Sequence, residues 1–216
     1  MSDNKTTAQI AASILLEIEA VLIRPEEPFT FTSGRKSPVY VDCRKIIGFP
    51  RARARLMDMG VEALYNNVGH EAFDVVAGGE TAGIPFAAFI AERMGLPMAY
   101  IRKKPKGFGR NAQIEGVIKE GDRVLLVEDL ATDGGSKLNF VNAIRTAGAQ
   151  CDHTFVVFHY GIFPEGIKLL NDEGVTLHGL TTWWDVIELA EQKGYVDEKG
   201  AAIVRDFLNN PDKWDG

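Results

Sequence analysis

The sequence predicts an α/β fold, with a parallel twisted sheet flanked by helices on both faces. Three observations predict it. Short apolar runs alternate with helical stretches through the middle of the chain. The run Val124-Leu125-Leu126-Val127 is apolar at every position, as in a strand buried on both sides. Glycines such as Gly78-Gly79, Gly95 and Gly148 punctuate the runs where one element gives way to the next.

Residues 6–23 place Ile10, Ile14, Leu15, Ile18, Val21 and Leu22 at helical spacing, and Pro25 and Pro28 end that helix. A short extended stretch follows, broken by Ser33-Gly34 and Pro38. Pro50 suits the first position of a helix over roughly 51–66. Residues 73–77 form the first core strand. A helix from about Ile84 to Met94 stops at Gly95, and Met98 to Ile101 is the second strand. Residues 124–127 are the third. A helix from about Ser136 to Thr146 precedes a fourth strand at 154–158 and a fifth at 175–177. Residues 182–208 read as wholly helical, begun by Trp183-Trp184 as packing groups and closed by Pro211. Ligands of open parallel sheets bind beyond the carboxyl ends of the strands. Loops 78–83, 102–113 and 128–136 are therefore the candidate site.

Composition narrows the function. Apolar residues make up 45% and charged residues 25% of the 216, a mixture that builds a core without staples. The net charge of −6 argues against nucleic acid as the main partner, because phosphate contacts need Lys and Arg. Cys43 and Cys151 stand alone, without ligand spacing, which speaks against a disulfide framework or a zinc site. The first residues lack the apolar stretch of a signal peptide, and no apolar run is long enough to span a bilayer. A cytoplasmic protein without membrane or nucleic-acid partners is the expectation. His70, His153 and His178 belong to no motif and read as structural or surface residues.

The run from Val124 to Ser136 carries the densest chemistry. An apolar strand delivers two adjacent acids, Glu128 and Asp129, then Leu130-Ala131, then Thr132-Asp133-Gly134-Gly135-Ser136 before a helix. Paired carboxylates accept hydrogen bonds from vicinal hydroxyls such as those of a ribose. Glycines let backbone N–H groups approach an anion, and the following helix adds unpaired N–H groups and a favourable dipole. A sugar phosphate fits, with ribose on the acids and its phosphate in the loop. Piece by piece, the same residues also fit a plain strand-to-helix turn with Asp133 or Ser136 as the cap. The whole run in order favours the sugar phosphate.

Residues 102–110 contain Arg102, Lys103, Lys104, Lys106 and Arg110 with two glycines and a proline. That composition suits neither helix nor strand and predicts a mobile cationic loop. Such a lid can close over a polyanion, stabilise charge as it develops and exclude water. The alternatives are a solvated basic turn or a nucleic-acid patch; the latter lacks aromatic platforms and sits in an acidic chain.

The acid-and-glycine run resembles the phosphoribosyl pyrophosphate (PRPP) motif of the type I phosphoribosyltransferases. The resemblance implies that fold, with a small N-terminal hood (about 1–50), a core (about 68–180) and a helical C-terminal extension (about 182–216) in one domain. It implies PRPP on Glu128, Asp129, Leu130, Ala131, Thr132, Asp133, Gly134, Gly135 and Ser136. It also implies pyrophosphate on Glu80, Thr81, Ala82 and Gly83. The basic run, with Gly109 and Ile114-Glu115-Gly116, is similar to the catalytic loop of orotate phosphoribosyltransferases, which serves the neighbouring subunit of a homodimer. Arg102, Lys103 and Lys106 would then be catalytic. The pattern Ser33-Gly34 to Ser37-Pro38, Tyr40, Asp42 and Arg44 resembles that family's hood, as Gly194-Tyr195-Val196 and Asn210 to Trp214 resemble its longer forms. Orotate would meet Tyr40, Val41 and Thr132. From the residues alone, Tyr40 is equally a core aromatic.

The chain departs from the family pattern at four places. Phe108 stands where many members carry histidine, Thr32 where a lysine is usual, and Ala82 where some carry lysine. His159-Tyr160 replaces an Asp-Arg pair whose arginine would hold the orotate carboxylate. The implied reaction joins orotate to PRPP with Mg²⁺ held mainly by PRPP and water, no metal being assigned to side chains. The alternatives are a phosphoribosyltransferase for another base and a non-catalytic PRPP sensor.

Overall fold

A computed structural model describes residues 6–31, 34–107, 113–132 and 135–215, with only the backbone of Ser136. Helix α1 spans Thr7–Glu17. Thr6 caps it: the Gln9 N–H donates to its hydroxyl at 3.2 Å, and the Gln9 side chain accepts from the Thr6 N–H at 3.0 Å. The helix stops short of the predicted 23. Glu19 takes a left-handed φ of 55°, and strand β1 (Val21–Ile23) turns back. The aliphatic residues at 21–23 obey helical spacing, yet they pair antiparallel with β4 (Val39–Val41), Val21 against Val41. Tertiary pairing of β-branched residues overrides the local pattern here. Between them β2 (Phe29–Thr30) pairs with β3 (Lys36–Ser37).

A 3₁₀ turn, Cys43–Gly48, leads into α2 (Pro50–Asn67), which has proline in its first turn as expected. Then come β5 (Val75–Gly79), α3 (Gly83–Met94), β6 (Met98–Ile101), β7 (Ile114–Glu115) and β8 (Arg123–Ala131). Helix α3 ends on Gly95 with φ 66°, which glycine adopts without penalty. The rest is α4 (Gly135–Thr146), β9 (Gln150–His159), α5 (Pro164–Asp172), β10 (Thr176–Thr182), α6 (Trp183–Gln192) and α7 (Glu198–Asn209). Helix α5 and the two-residue β7 are not predicted from the sequence, and the expected single helix over 182–208 is two, α6 and α7. The break has local causes: Gly194 turns with φ 73°, and the Asp197 carboxylate accepts from the Gly200 N–H at 2.8 Å to start α7.

The six-stranded sheet has the order β10-β9-β8-β5-β6-β7 and is parallel except at the β7 edge. Alternate residues of β8 supply two cores. Leu125 and Val127 face one side, with Phe86 of α3, Leu56 of α2 and Trp183 of α6. Val124 and Leu126 face the other, with Phe140, Val141 and Ile144 of α4 and Leu170 of α5. This is the two-sided burial that the unbroken apolar run predicts.

The order fixes the ligand position. Successive connections run outward in opposite directions from the adjacent pair β5 and β8, so their carboxyl ends form the switch point of the sheet. Strand β8 is also longer than the predicted 124–127. Its pairing with β9 continues to Ala131 against His159, so Glu128 and Asp129 lie within the strand and not in the loop after it.

Candidate active site

A cleft of about 730 Å³ opens at this switch point. Strand β8 contributes Glu128, Asp129 and Leu130, followed by Thr132; the turn after β5 contributes Glu80, Thr81 and Ala82. Lys103 comes from the basic loop after β6, and Arg44 and Ile47 from the 3₁₀ turn. The sequence-predicted acids, threonine and loop cation thus meet in one place.

Neighbouring strand residues point to opposite faces, and the cleft crosses the strand end so that it reaches both acids. Glu128 turns toward Gly79 and Phe140: a Cβ on Gly79 would lie 2.1 Å from its Oε1 and 2.7 Å from the Phe140 ring. Asp129 turns toward Cys43 and Arg44, whose titration it influences. Both acids are buried, at 8% and 9% exposure. Burial pushes Glu128 up to about 7, against the lowering charge of Lys137; the Asp129 charge raises it further and Lys103 opposes. Burial also raises Asp129, opposed by hydrogen bonding from the Leu130 N–H and by the charges of Lys137 and Arg44. The acids are therefore poised to gain from hydroxyl donors that would replace lost water.

The glycines here serve close packing. A Cβ on Gly83 would meet the Val127 carbonyl oxygen at 2.4 Å, and one on Gly78 the Gly83 carbonyl at 2.8 Å. Gly78 and Gly79 belong to β5 itself, and the predicted turn shrinks to Glu80–Ala82 before α3. Because backbone meets backbone, Gly83→Ala is expected to wedge α3 from β8 and lower stability by about 1–3 kcal/mol, measured by thermal or urea unfolding. An unchanged midpoint would contradict the close approach.

The start of the basic loop is pinned. The Lys103 N–H donates to Glu80 Oε2 at 2.8 Å, and Asn139 of α4 donates to the Lys103 carbonyl at 3.1 Å. Glu115 of β7 pairs with Arg102 at 3.4 Å and with Lys106. Of the loop's predicted residues, Phe108, Gly109 and Arg110 lie outside the described residues, as do Asp133, Gly134, Thr32 and Ser33. Ala131 is buried, and Gly135 opens α4.

Tyr40 and Val41 are not among the residues lining the cleft. Tyr40 packs against Phe29 and Phe31, with ring centroids 5.5 and 6.3 Å away, and Val41 is buried in the β1–β4 pair. Tyr160 packs edge-on against Phe158 and Trp183, and burial lifts its hydroxyl to about 12. His159 is half-buried and held below the usual imidazole range by burial and by the Lys137 charge. Three polar residues of the cleft are not predicted as site residues from the sequence: Arg44, Lys137 and Asn139. Lys137 did leave a signal, a cation in the first turn of a helix where the dipole disfavours it. Asn139 left none.

Residues 55–175 match the family described as the phosphoribosyl transferase domain. The orotate phosphoribosyltransferase of Roseobacter denitrificans is 61% identical over 212 residues, covering 98% of this chain and 94% of that one. This chain belongs to the orotate phosphoribosyltransferase family. Among solved structures, the orotate phosphoribosyltransferase of Aeropyrum pernix superposes with a TM-score of 0.72 at 30% identity, over 86% of this chain and 99% of that chain. The Mycobacterium tuberculosis enzyme in complex with PRPP shares the fold, with a TM-score of 0.64 at 24% identity over 84% and 99% of the two chains. The type I phosphoribosyltransferase fold implied by the acid-and-glycine motif is thus the fold of the family.

Proposed function

We propose that this chain transfers the 5-phosphoribosyl group of PRPP to N1 of orotate, releasing pyrophosphate and forming orotidine 5′-monophosphate for pyrimidine biosynthesis. The observation that carries the reading is the meeting of Glu128, Asp129, Thr132 and Lys103 in one cleft at the switch point of the sheet. In this reading the ribose hydroxyls donate to Glu128 and Asp129. The 5′-phosphate takes the loop from Thr132 to Ser136 and the start of α4, where backbone N–H groups and the helix dipole favour an anion. Pyrophosphate leaves over Glu80 to Gly83, under Lys103, Lys106 and Arg102. Orotate approaches between Thr132 and the hood segment of Tyr40 and Val41.

The chemistry asks for little covalent help. Bond breaking runs ahead of attack, positive charge builds on the sugar, and negative charge builds on the departing pyrophosphate. Positioning and electrostatics supply the catalysis. The cleft acids Glu80, Glu128 and Asp129 offer hard oxygen donors, which suit Mg²⁺ held chiefly by substrate oxygens and water. Bound there, Mg²⁺ would offset charge on the pyrophosphate. A cytoplasmic homodimer that shares the basic loop completes the proposal. Ile47 at the cleft and Phe49, two residues further along the chain, expose apolar side chains that support a partner surface. Among the described residues no helix is long and apolar enough to cross a membrane.

The test is pyrophosphate release from PRPP in the presence of orotate, uracil, adenine or hypoxanthine. Release with orotate alone is expected. Release with another base instead would move the chain to a different acceptor, and PRPP binding without release would make it a sensor.

A further inference from the structure

A cation that serves a leaving group has to be aimed, and its backbone sets the aim. Of the basic loop's described residues, Lys103 lines the cleft. The residue before it is locked to the sheet edge. The Arg102 N–H donates to the Gln113 carbonyl at 2.8 Å, and the Gln113 side-chain amide donates to the Arg102 carbonyl at 3.1 Å. Lys103 lies beyond that ladder and is tied to two other elements. Its N–H donates to Glu80 Oε2 at 2.8 Å, in the turn after β5. Its carbonyl accepts from Asn139 Nδ2 at 3.1 Å, on α4. Packing leaves this junction open: a cavity of about 210 Å³ lies between Pro105, Gln113 and Ile114 of the loop stems and Asn139, Asn142 and Ala143 of α4. The Asn139 amide spans the gap.

We propose that Asn139 is a positioning residue for the transfer, which aims the Lys103 ammonium at the leaving group by tying the Lys103 backbone to α4. The two ties bracket the Lys103 Cα, one at its N–H and one at its carbonyl, and so fix the direction in which the side chain leaves the chain. Asn139 also stands where helix chemistry alone would not put it. It is exposed in the interior of α4, where packing does not ask for it and where asparagine is a poor helix former. Helix α4 begins at Gly135, four residues earlier, so the two lie one turn apart on the same face. The start of α4 is the seat read above for the 5′-phosphate. One rigid helix then fixes both ends of PRPP, the phosphate at its first turn and the leaving-group cation through Asn139. The spacing between them is set by that helix and not by the loop.

The inference rests on the reading that Lys103 stabilises the departing pyrophosphate, and its test separates the two. Asn139→Leu keeps the shape of the side chain and removes the donor. With PRPP and orotate saturating, kcat is expected to fall about tenfold, while PRPP affinity by calorimetry stays as in the parent and the thermal midpoint is no lower. Asn139→Gln, which keeps an amide donor, should recover part of the rate. In a Lys103→Ala background, Asn139→Leu should change kcat less than about twofold, because no ammonium is left to aim. Exchange of the Lys103 amide proton in ligand-free protein, followed by NMR, should quicken about fivefold in Asn139→Leu as its carbonyl is untied. Unchanged exchange would overturn the proposal. So would full turnover in Asn139→Leu where Lys103→Ala is impaired. A loss that persists undiminished in the Lys103→Ala background would also overturn it, by making Asn139 a direct substrate contact. Full turnover in Lys103→Ala itself would instead sink the leaving-group role of Lys103.

Discussion

Replacing Lys106 by alanine is expected to lower turnover with PRPP and orotate by about 10²–10³-fold while leaving the fold and the thermal midpoint as they are. The magnitude is that of removing one preorganised donor from a site where charge develops. The side chain is 54% exposed and its partner is Glu115 on the two-residue edge strand β7, so no core packing depends on it. The Glu115 carboxylate is held below its usual range chiefly by the Lys106 ammonium. Lys106 rests on Glu115, outside the cleft lining, so in the proposed role it would exchange that carboxylate for pyrophosphate. Because the exchange occurs late, the loss should appear in kcat more than in the KM of PRPP. Steady-state rates with both substrates saturating check this, and full turnover in the variant would remove Lys106 from the leaving-group role.

How much of this was legible in the sequence varies with where the information lies. The strands of the sheet are written in local runs: 124–127 is apolar at every position because both faces of β8 are covered. The two acids read from the sequence as neighbours following the apolar run, and the structure keeps them adjacent, inside β8. What the sequence hid is whatever depends on a partner distant along the chain. Val21 to Ile23 look helical until Val39 to Val41 pair with them. Glu128 and Asp129 look like loop residues until β9 continues the ladder past them to His159. Gly78, Gly79 and Gly83 look like a phosphate turn, yet the first two belong to the strand and all three are kept small by backbone or side chains of β8 and α3. Lys137 and Asn139 enter the cleft only because α4 folds back over the end of β8. Periodicity can describe a helix face, but not what that face will meet.

Replacing Glu128 by glutamine should make the protein more stable and less able to bind PRPP. The carboxyl group is raised from an ordinary value of 4.5 to about 7 by burial. An acid raised in the folded state contributes stability that is complete below its unfolded value and is lost as pH climbs toward the folded one. The parent should therefore lose stability between about pH 4.5 and pH 7, and stay at the lower level above. At 1.36 kcal/mol per unit the loss approaches about 3 kcal/mol. Glutamine is nearly isosteric and does not titrate, so the variant escapes it. The gain will be smaller than the full figure, because Lys137 and Lys103 lose a counter-charge at the same time. Urea unfolding at pH 5 and pH 8 measures the effect: the advantage of Glu128→Gln should be small at pH 5 and grow to about 2 kcal/mol at pH 8. An advantage that did not widen with pH would mean that Glu128 is solvated. PRPP affinity moves the other way. A carboxylate accepting from a ribose hydroxyl is worth about 1.5–3 kcal/mol, so the variant should bind PRPP about 10- to 100-fold more weakly at pH 8. A residue whose charge destabilises the folded chain by the same ionisation that lets it hold the sugar is expected where function, and not packing, fixes the choice.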